Sequence, residues 1–286
     1  LSTILAKLIE RHDGLRLRYS HNKDGKWEQY CTDKKEAFDI RIQEIDVSKV
    51  VEKQEIFVYD KGTELQSSLD IEHGPIAGAM VFKGFNDGYQ KLLLVIHHLV
   101  VDGVSWRILL DDFIRAYEQI SCGQEVKLLS KTSSYKAWGR ALIEYVKSER
   151  IQSHWDYWLE VGKNANLLPV DYEAKEVLGK DISNHSIRLT KIETSNLLNK
   201  VSQAYNTQIN DILLSALALA CQEWTGRDDL LLHLEGHGRE EIEGVDISQT
   251  VGWFTSLFPL HIHLPREDKK GKDEYLSEVI KSVKEQ

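Results

Sequence analysis

Features that mark several classes of protein are scarce or absent in this chain of 286 residues. No apolar run approaches the roughly 20 residues that span a bilayer, and residues 1–12 form an amphipathic helical pattern rather than a signal peptide. Lys and Arg number 36 against 45 Asp and Glu, which gives a formal charge of −9 without a strongly basic block. Because nucleic-acid binding normally needs a clustered Lys/Arg face, the sequence predicts neither a nucleic-acid nor a membrane partner.

Cysteine is also scarce, and its three residues are far apart in the sequence: Cys31, Cys122 and Cys221. Their spacing matches no zinc-binding or redox motif. The pattern therefore predicts reduced thiols in a cytoplasmic protein and no metal centre.

Neither end of the chain carries a boundary signal. The chain begins without Met inside a helical pattern, and residues 275–286 form a second helical pattern without a stop. We therefore expect both ends to be cut from a larger polypeptide.

The first half of the chain contains a mixture of strand and helix patterns. The first helix is expected to end near Asp13-Gly14, with Gly14 as its C-cap. Asn86-Asp87-Gly88 between two apolar strands is a strong hairpin signal. The predicted strands are 15–19, 27–31, 39–46, 76–85 and 89–99, and the predicted helices are 55–70, 105–120 and one or two within 133–160.

A turn-rich stretch, 162–181, predicts a boundary between an N-terminal lobe, residues 1–165, and a C-terminal lobe, residues 166–286. We expect the second lobe to contain strands at 184–190, within 228–240 and within 250–264, and helices at 193–205 and 209–226. The helix at 209–226 is apolar nearly all round, which predicts that it is buried. Two lobes of this kind indicate an α+β protein with a ligand site at their junction.

Residues 96–109, IHHLVVDGVSWRIL, place two histidines at the end of a predicted strand. Because neighbouring strand residues point to opposite faces, only one of His97 and His98 is expected to face a cleft, and the other to hydrogen-bond within its own lobe. The HHxxxD spacing also allows a metal site, but no third ligand stands out.

Asp102 precedes a predicted helix, where a carboxylate either caps the helix or pairs with an arginine. Arg107 and Arg16 are the candidate partners. The adjacent Asp111 and Asp112 are expected to form a solvated helix face.

Two later stretches carry further candidates. Glu235 in LEGHGRE ends an alternating strand and precedes Gly-His-Gly, a turn that lets backbone approach a ligand. A surface ion pair between Glu235 and Arg239 is the alternative interpretation, and His237 is either a titrating group or a turn residue. Trp253 and Phe254 favour core positions over a substrate wall.

Taken together, these stretches resemble the epimerization branch of the condensation-domain superfamily of nonribosomal peptide synthetases. IHHLVVDGVSWRIL is similar to the superfamily's HHxxxDG motif, and its VSWRIL continuation is typical of the epimerization branch. The other segments similar to family motifs are, in the family's order, ERHDGLRLRY, LQSSLDIEHGPI, YNTQINDILLSALALA, LEGHGRE and TVGWFTSLFPL. They cover most of the chain.

The resemblance implies a fold and a partner. The fold is α+β, with two chloramphenicol-acetyltransferase-like lobes in a V-shaped pseudo-dimer, each a mixed sheet with flanking helices. The lobes meet around a tunnel that holds the active site. The domain binds no cofactor of its own, because a peptidyl carrier protein delivers the substrate thioester on its phosphopantetheine arm. Neighbouring synthetase domains are expected in the same polypeptide, and the family's opening and closing segments are expected outside residues 1–286.

The resemblance also assigns roles to residues. His98 and Glu235 are the expected catalytic residues in the L-to-D inversion of an α-carbon. Asp102 is the expected structural aspartate, with Arg11 or Arg16 as its arginine partner. The other expected site residues are His97 and Gly103 in support, and Ser105 and Trp253 in contact with the substrate.

The proposed chemistry suits these residue types. Inversion removes the α-proton and returns one to the opposite face, so two groups flanking the α-carbon are needed. Backbone N–H groups between Gly103 and Ser105 are expected to stabilise the developing enolate oxygen.

Two other functions remain open from the sequence. A condensation domain, which forms a peptide bond between two carrier-bound substrates, would use the same His98 but would not require LEGHGRE. A non-catalytic carrier-binding module would keep the fold without turnover.

Overall fold

The computed structural model describes residues 1–33, 42–50, 53–161, 163, 168–173, 177–266 and 271–286. The chain forms two compact units, one of Leu1–Ile151 with Gly236–Ser256 and one of Gln152–Glu235 with Leu257–Gln286. These units divide the chain elsewhere than at the predicted 165/166 boundary, because residues 236–256 belong with the N-terminal part. The predicted lobes themselves stay a prediction.

The first unit begins with a helix, α1, that packs on a long helix, α3. The apolar face of α1 buries Ile4, Leu5, Leu8 and Ile9 in the largest core cluster. The elements of this unit are α1 (Ser2–Arg11), β1 (Leu17–His21), β2 (Trp27–Cys31), β3 (Ile42–Asp46), α2 (Gln54–Ser67), β4 (Ala77–Lys83), β5 (Lys91–Ile96), α3 (Gly103–Ser121), α4 (Tyr135–Val146) and α5 (Glu149–Gln152), whose last residue begins the second unit.

Gly14 does not cap α1 as predicted. Helix α1 ends at Arg11, and Gly14 lies in a 3₁₀ turn, Asp13–Arg16. A Cβ atom on Gly14 would lie 2.8 Å from the backbone oxygen of Val251. Glycine is therefore needed here because two backbone segments approach closely.

The main sheet of the first unit has the order β3-β4-β5. Strands β3 and β4 are parallel, and β4 and β5 are antiparallel, with Ala77 opposite Ile96. The predicted turn at 86–88 joins them, and Gly88 supplies its positive φ of 75°. The β1–β2 hairpin is also present, with Leu17 opposite Cys31. The predicted strand residues 39–41 lie outside the described residues.

The second unit contains helices and a two-stranded sheet of β6 and β7. Its elements are α6 (Trp155–Val161), α7 (Lys191–Ser195), a π-helical turn (Asn196–Val201), α8 (Ser202–Tyr205), α9 (Ile209–Thr225), β6 (Asp229–Gly236, whose last residue belongs to the first unit), β7 (Ser256–His263, whose first residue does) and α10 (Lys272–Glu285). Its core joins α9, α10 and both strands through residues such as Ala218, Leu230, Ile262 and Val279.

Two predictions for this unit are wrong. Residues 184–190 form no strand and are exposed. Helix α9 is only partly buried, since Leu213 and Leu217 are exposed while Ile212 and Ala218 are buried. An apolar residue at a helix position thus does not by itself imply a covered face.

Within the described ranges, no helix combines the length and apolarity needed to cross a bilayer. The same residues contain no group of three or more His, Cys, Asp or Glu side chains placed to hold a metal ion. All three cysteines are free thiols.

Candidate active site

Two adjacent histidines follow the last strand of the main sheet. Strand β5 ends at Ile96, His97 is extended, and a 3₁₀ turn covers His98–Val100. Strand alternation therefore does not decide where the imidazoles point, because neither histidine lies in the strand. His97 caps the turn by accepting a hydrogen bond from Leu99 N at its Nδ1, at 3.2 Å. The His98 imidazole is exposed.

Asp102 is the N-cap of α3 and is itself buried. Its Oδ1 accepts a hydrogen bond from Ser105 N at 2.7 Å, and its Oδ2 accepts one from Phe254 N at 3.1 Å. Burial by itself would raise the pKa of Asp102, but these hydrogen bonds and the charge of Arg239 outweigh burial and lower it. The carboxylate therefore stays ionised and serves as a fixed acceptor.

Arg239 is the residue that pairs with Asp102. Its Nη2 lies 3.3 Å from Asp102 Oδ1. Its Nη1 donates hydrogen bonds to the backbone oxygens of Ile247 and Thr250 at 3.0 and 2.9 Å, and the guanidinium carbon lies 4.0 Å from the centre of the Phe254 ring. One planar cation thus ties the loop after β6 to the beginning of α3.

This partner corrects the expectation that Arg11, Arg16 or Arg107 pairs with Asp102. The two members of the pair are 137 residues apart in the sequence, and no local pattern connects them. Arg107 is exposed on α3. Only the fold brings the LEGHGRE segment to the helix that follows the two histidines.

Ser105 ties the same loop to α3. Its hydroxyl donates to the backbone oxygen of Gly252 at 2.9 Å and accepts hydrogen bonds from Gly252 N at 3.1 Å and from Arg239 Nη2 at 3.0 Å. The residue is 0% exposed. The predicted substrate contact is therefore wrong for its side chain, which is buried and fully hydrogen-bonded.

Trp253 packs on His98. The ring centroids are 4.9 Å apart and the planes meet at 59°. Trp253 is 40% exposed, whereas the neighbouring Phe254 is 2% exposed and packs against Tyr135 and Trp138. The predicted core position thus holds for Phe254 only, and the indole of Trp253 forms an exposed wall beside the imidazole.

Glu235 lies near the end of β6 with its side chain exposed. It belongs to the second unit, so its action together with His98 stays a prediction. Its predicted surface pair with Arg239 is wrong, because Arg239 pairs with Asp102. The turn after Glu235 is fixed at Gly238, whose φ is 64° and where a Cβ atom would lie 1.6 Å from the backbone oxygen of Phe254.

Arg11 and His12 both contact Asp112, which is buried in α3. Arg11 Nε lies 2.8 Å and His12 Nε2 lies 2.9 Å from the same carboxylate oxygen of Asp112. The prediction that Asp112 belongs to a solvated face is therefore wrong, although Asp111 is exposed. The contact joins the end of α1 to the middle of α3, the helix that Asp102 caps.

Arg16 likewise supports the fold away from Asp102. Its Nη1 donates a hydrogen bond to the backbone oxygen of Ile9 at 2.6 Å, and its Nη2 contacts Asp13 at 2.7 Å. These contacts link α1 to the beginning of β1.

The buried His12 predicts an acid-sensitive stability. Burial lowers the pKa of His12 below its ordinary 6.5, and the hydrogen bond with Asp112 offsets only part of that effect. Below pH 6.5 the unfolded chain therefore binds a proton that the folded chain excludes, so stability falls as the pH decreases. One such proton changes the free energy of unfolding by at most about 1.4 kcal/mol per pH unit.

We expect His12→Gln to flatten this dependence between pH 6.5 and 5, as measured by urea unfolding. His185→Gln, which changes an exposed histidine, is the matched control and should leave the slope of the wild-type protein intact. Equal slopes for the wild-type protein and His12→Gln would contradict the prediction.

The N-terminus of α3 also offers donors beside His98. Ser105 N is already bonded to Asp102, whereas Gly103 and Val104 belong to the first turn, whose N–H groups have no acceptor within the helix. Gly103 is exposed. These two groups can donate to an oxyanion.

Comparisons with known proteins agree with this geometry. The family model described as Condensation domain matches residues 1–286. The chain is 40% identical over 282 residues to a part of linear gramicidin synthase from Brevibacillus parabrevis and 41% identical over 285 residues to bacitracin synthase 3 from Bacillus licheniformis. These matches cover 98% and 99% of the chain but only 4% of either relative.

Solved structures extend the comparison. The epimerization domain from the third module of tyrocidine synthetase B superposes with a TM-score of 0.85 and 35% identity, covering 99% of this chain and 63% of that one. The first condensation domain of the calcium-dependent antibiotic synthetase has a TM-score of 0.72 and 17% identity, covering 99% and 63%. The second similarity concerns the fold alone.

Proposed function

Since the chain belongs to the condensation-domain family of nonribosomal peptide synthetases, we propose that it epimerizes a carrier-bound substrate. The reaction inverts the α-carbon of an aminoacyl or peptidyl thioester from L to D. The observation that carries this proposal is the 35% identity to a structure described as an epimerization domain, against 17% to one described as a condensation domain. The cytoplasmic location predicted from the cysteines stays a prediction.

The reaction assigns His98 and Glu235 to the two faces of the α-carbon. One group abstracts the α-proton, the electron pair delocalises onto the thioester oxygen, and the other group returns a proton to the opposite face. Both side chains are exposed, so a substrate can reach them. The N–H groups of Gly103 and Val104 would donate to the enolate oxygen.

The substrate would arrive on a peptidyl carrier protein through its phosphopantetheine arm, and the domain itself would hold no cofactor. Trp253 would form the apolar wall on the His98 side of the substrate. The relatives are synthases far longer than this chain, which supports neighbouring synthetase domains as further partners.

Peptide-bond formation is the alternative function. It is favoured by the fold-level similarity to condensation domains and by the shared position of His98. The LEGHGRE segment weighs against it, since its Arg239 braces the site and its Glu235 offers a second proton-transfer group. A non-catalytic carrier-binding module would need neither group.

The deciding experiment loads a carrier protein with each of several L-amino acids, apolar, aromatic and polar, and incubates it with the chain in deuterium oxide. We expect the α-proton to exchange for deuterium and the released amino acid to become a mixture of L and D forms. Mass spectrometry and chiral chromatography measure the two changes.

A second carrier bearing an acceptor amino acid is then added. Formation of a dipeptide without α-proton exchange would replace epimerization by condensation. Neither product from any loaded carrier, with the chain folded, would favour the binding module.

A further inference from the structure

Two half-buried tyrosines hold the backbone on either side of the contact between His98 and Trp253. The Tyr19 hydroxyl donates a hydrogen bond to the backbone oxygen of Leu99 at 3.0 Å, and the Tyr135 hydroxyl donates one to the backbone oxygen of Trp253 at 2.7 Å. We infer that Tyr19 and Tyr135 are positioning residues that fix the His98 imidazole against the Trp253 indole. This inference rests on the proposed function, in which His98 transfers the α-proton.

Tyr19 acts on the turn that carries His98. It lies on β1, and its ring packs in a cluster with Ile96 and Leu99 at the end of β5. Leu99, the residue after His98, has its N–H bonded to His97 and its carbonyl bonded to Tyr19. Both polar groups of this peptide neighbour are therefore held, which limits the orientations open to the His98 backbone.

Tyr135 acts on the segment that carries Trp253. The backbone of Gly252 is held by Ser105, and the N–H of Phe254 is held by Asp102. The carbonyl of Trp253, between them, is held by the hydroxyl of Tyr135. Three consecutive residues are thus fixed by three different side chains, and the exposed indole is the part of the segment that faces His98.

The sequence accommodates this arrangement at Gly252. A Cβ atom there would lie 2.6 Å from the Tyr135 ring, so a larger residue would displace the ring from its hydrogen bond. The Tyr135 ring also packs edge-on against Phe254, with centroids 5.0 Å apart. Tyr135 is the first residue of α4, after the Ser134 cap, which fixes its position independently of the loop.

His98 depends on this packing because it has few other constraints. Among the residues that the structure describes, no side chain makes a hydrogen bond to its imidazole, and the indole of Trp253 is the ring in contact with it. A proton-transfer group must lie within hydrogen-bond reach of its proton, and small misplacements cost rate. The orientation of the imidazole is therefore set by the turn and by the indole, which the two tyrosines hold.

Both hydroxyls remain donors over the pH range of an assay. Burial, with a smaller effect of Tyr135, raises the pKa of Tyr19 to about 12. Burial and the charge of Asp102 also raise the pKa of Tyr135. Neither tyrosine loses its proton near neutral pH, which suits an anchor rather than an acid.

The kinetic test uses Tyr19→Phe, Tyr135→Phe and the double variant, with Tyr59→Phe as the matched control on an exposed tyrosine. We expect each single change to lower kcat for α-proton exchange about tenfold, since one hydrogen bond to a backbone carbonyl is lost, with KM for the loaded carrier within about twofold. The double variant should lose less than the product of the single losses, because either change already loosens the same ring contact. Independent losses that multiply would overturn the inference.

The spectroscopic test needs no turnover. The indole of Trp253 shifts the ring resonances of His98 in the NMR spectrum, and a His98→Ala spectrum assigns them. We expect Trp253→Leu to abolish this shift and each tyrosine variant to reduce it by more than half. Unchanged His98 resonances in both tyrosine variants, beside a changed one in Trp253→Leu, would refute the positioning role. Reduced shifts in a chain that exchanges no α-proton would instead support the positioning and refute the proposed function.

Discussion

Replacing His98 with alanine is expected to reduce the rate of α-proton exchange by about 10²- to 10⁴-fold, the usual contribution of a general acid or base. Glu235→Gln should have an effect in the same range, because the amide keeps the shape of the side chain but cannot accept a proton. Both side chains are exposed, so neither change removes buried packing, and unfolding curves should stay close to that of the wild-type protein. The measurement is deuterium incorporation into a carrier-bound thioester.

The substrate's configuration sharpens this test. In a two-base exchange, one group takes the proton from the L form and the other takes it from the D form. Each variant should therefore lose exchange from one enantiomer more than from the other, and His98→Ala and Glu235→Gln should have opposite preferences. If both variants lose exchange from both enantiomers equally, a single base serves both directions.

Matched controls are available in the chain. His185 and Glu243 are exposed, and His185→Ala and Glu243→Gln remove the same chemical groups elsewhere. These controls should exchange at the wild-type rate. Wild-type rates in both His98→Ala and Glu235→Gln would remove these residues from the mechanism.

Asp102→Asn is expected to lower the free energy of unfolding by about 3–5 kcal/mol, the usual cost of breaking a buried ion pair from one side. The carboxylate accepts hydrogen bonds from Ser105 N and Phe254 N and lies beside Arg239. An asparagine has one acceptor oxygen, so its NH₂ group would face a donor, and the buried cation of Arg239 would lose its counter-charge. Urea unfolding measures the difference.

The partner variants separate the ion pair from the cap. Arg239→Gln leaves the N-cap bond to Ser105 in place but removes the pair, so it should also destabilise the fold. The double variant Asp102→Asn with Arg239→Gln should be more stable than the sum of the single costs predicts, because no unpaired charge remains. Arg107→Gln, at an exposed arginine of the same helix, should change stability little. Additive costs at Asp102 and Arg239 would show that the pair contributes no coupling.

Local periodicity could have predicted more of the site than it did. Asp112 follows Ile108 by four residues and Leu109 by three, so helical spacing alone puts it on the buried face of α3. Counting it as solvated because it is charged missed the ion pair with Arg11 and the contact with His12. The twin histidines show the reverse, since a strand period was extended past Ile96 into a turn.

By itself, the sequence determined the elements and the residue types of the site. Alternation and helical spacing predicted both hairpins, helices α1, α2, α3 and α9 and the capping aspartate, because these depend on contacts between residues close in the chain. The motif order also indicated the family that the comparisons confirm.

Only the tertiary structure decided which distant residues meet. The pairing of Asp102 with Arg239, the burial of Ser105 against Gly252, the contact of His98 with Trp253 and the two tyrosine anchors join residues that are 80 to 155 positions apart. Such contacts depend on how the loop at 236–256 returns to the first unit. No local pattern encodes that return, because its free energy comes from packing and hydrogen bonds that form only in the folded chain.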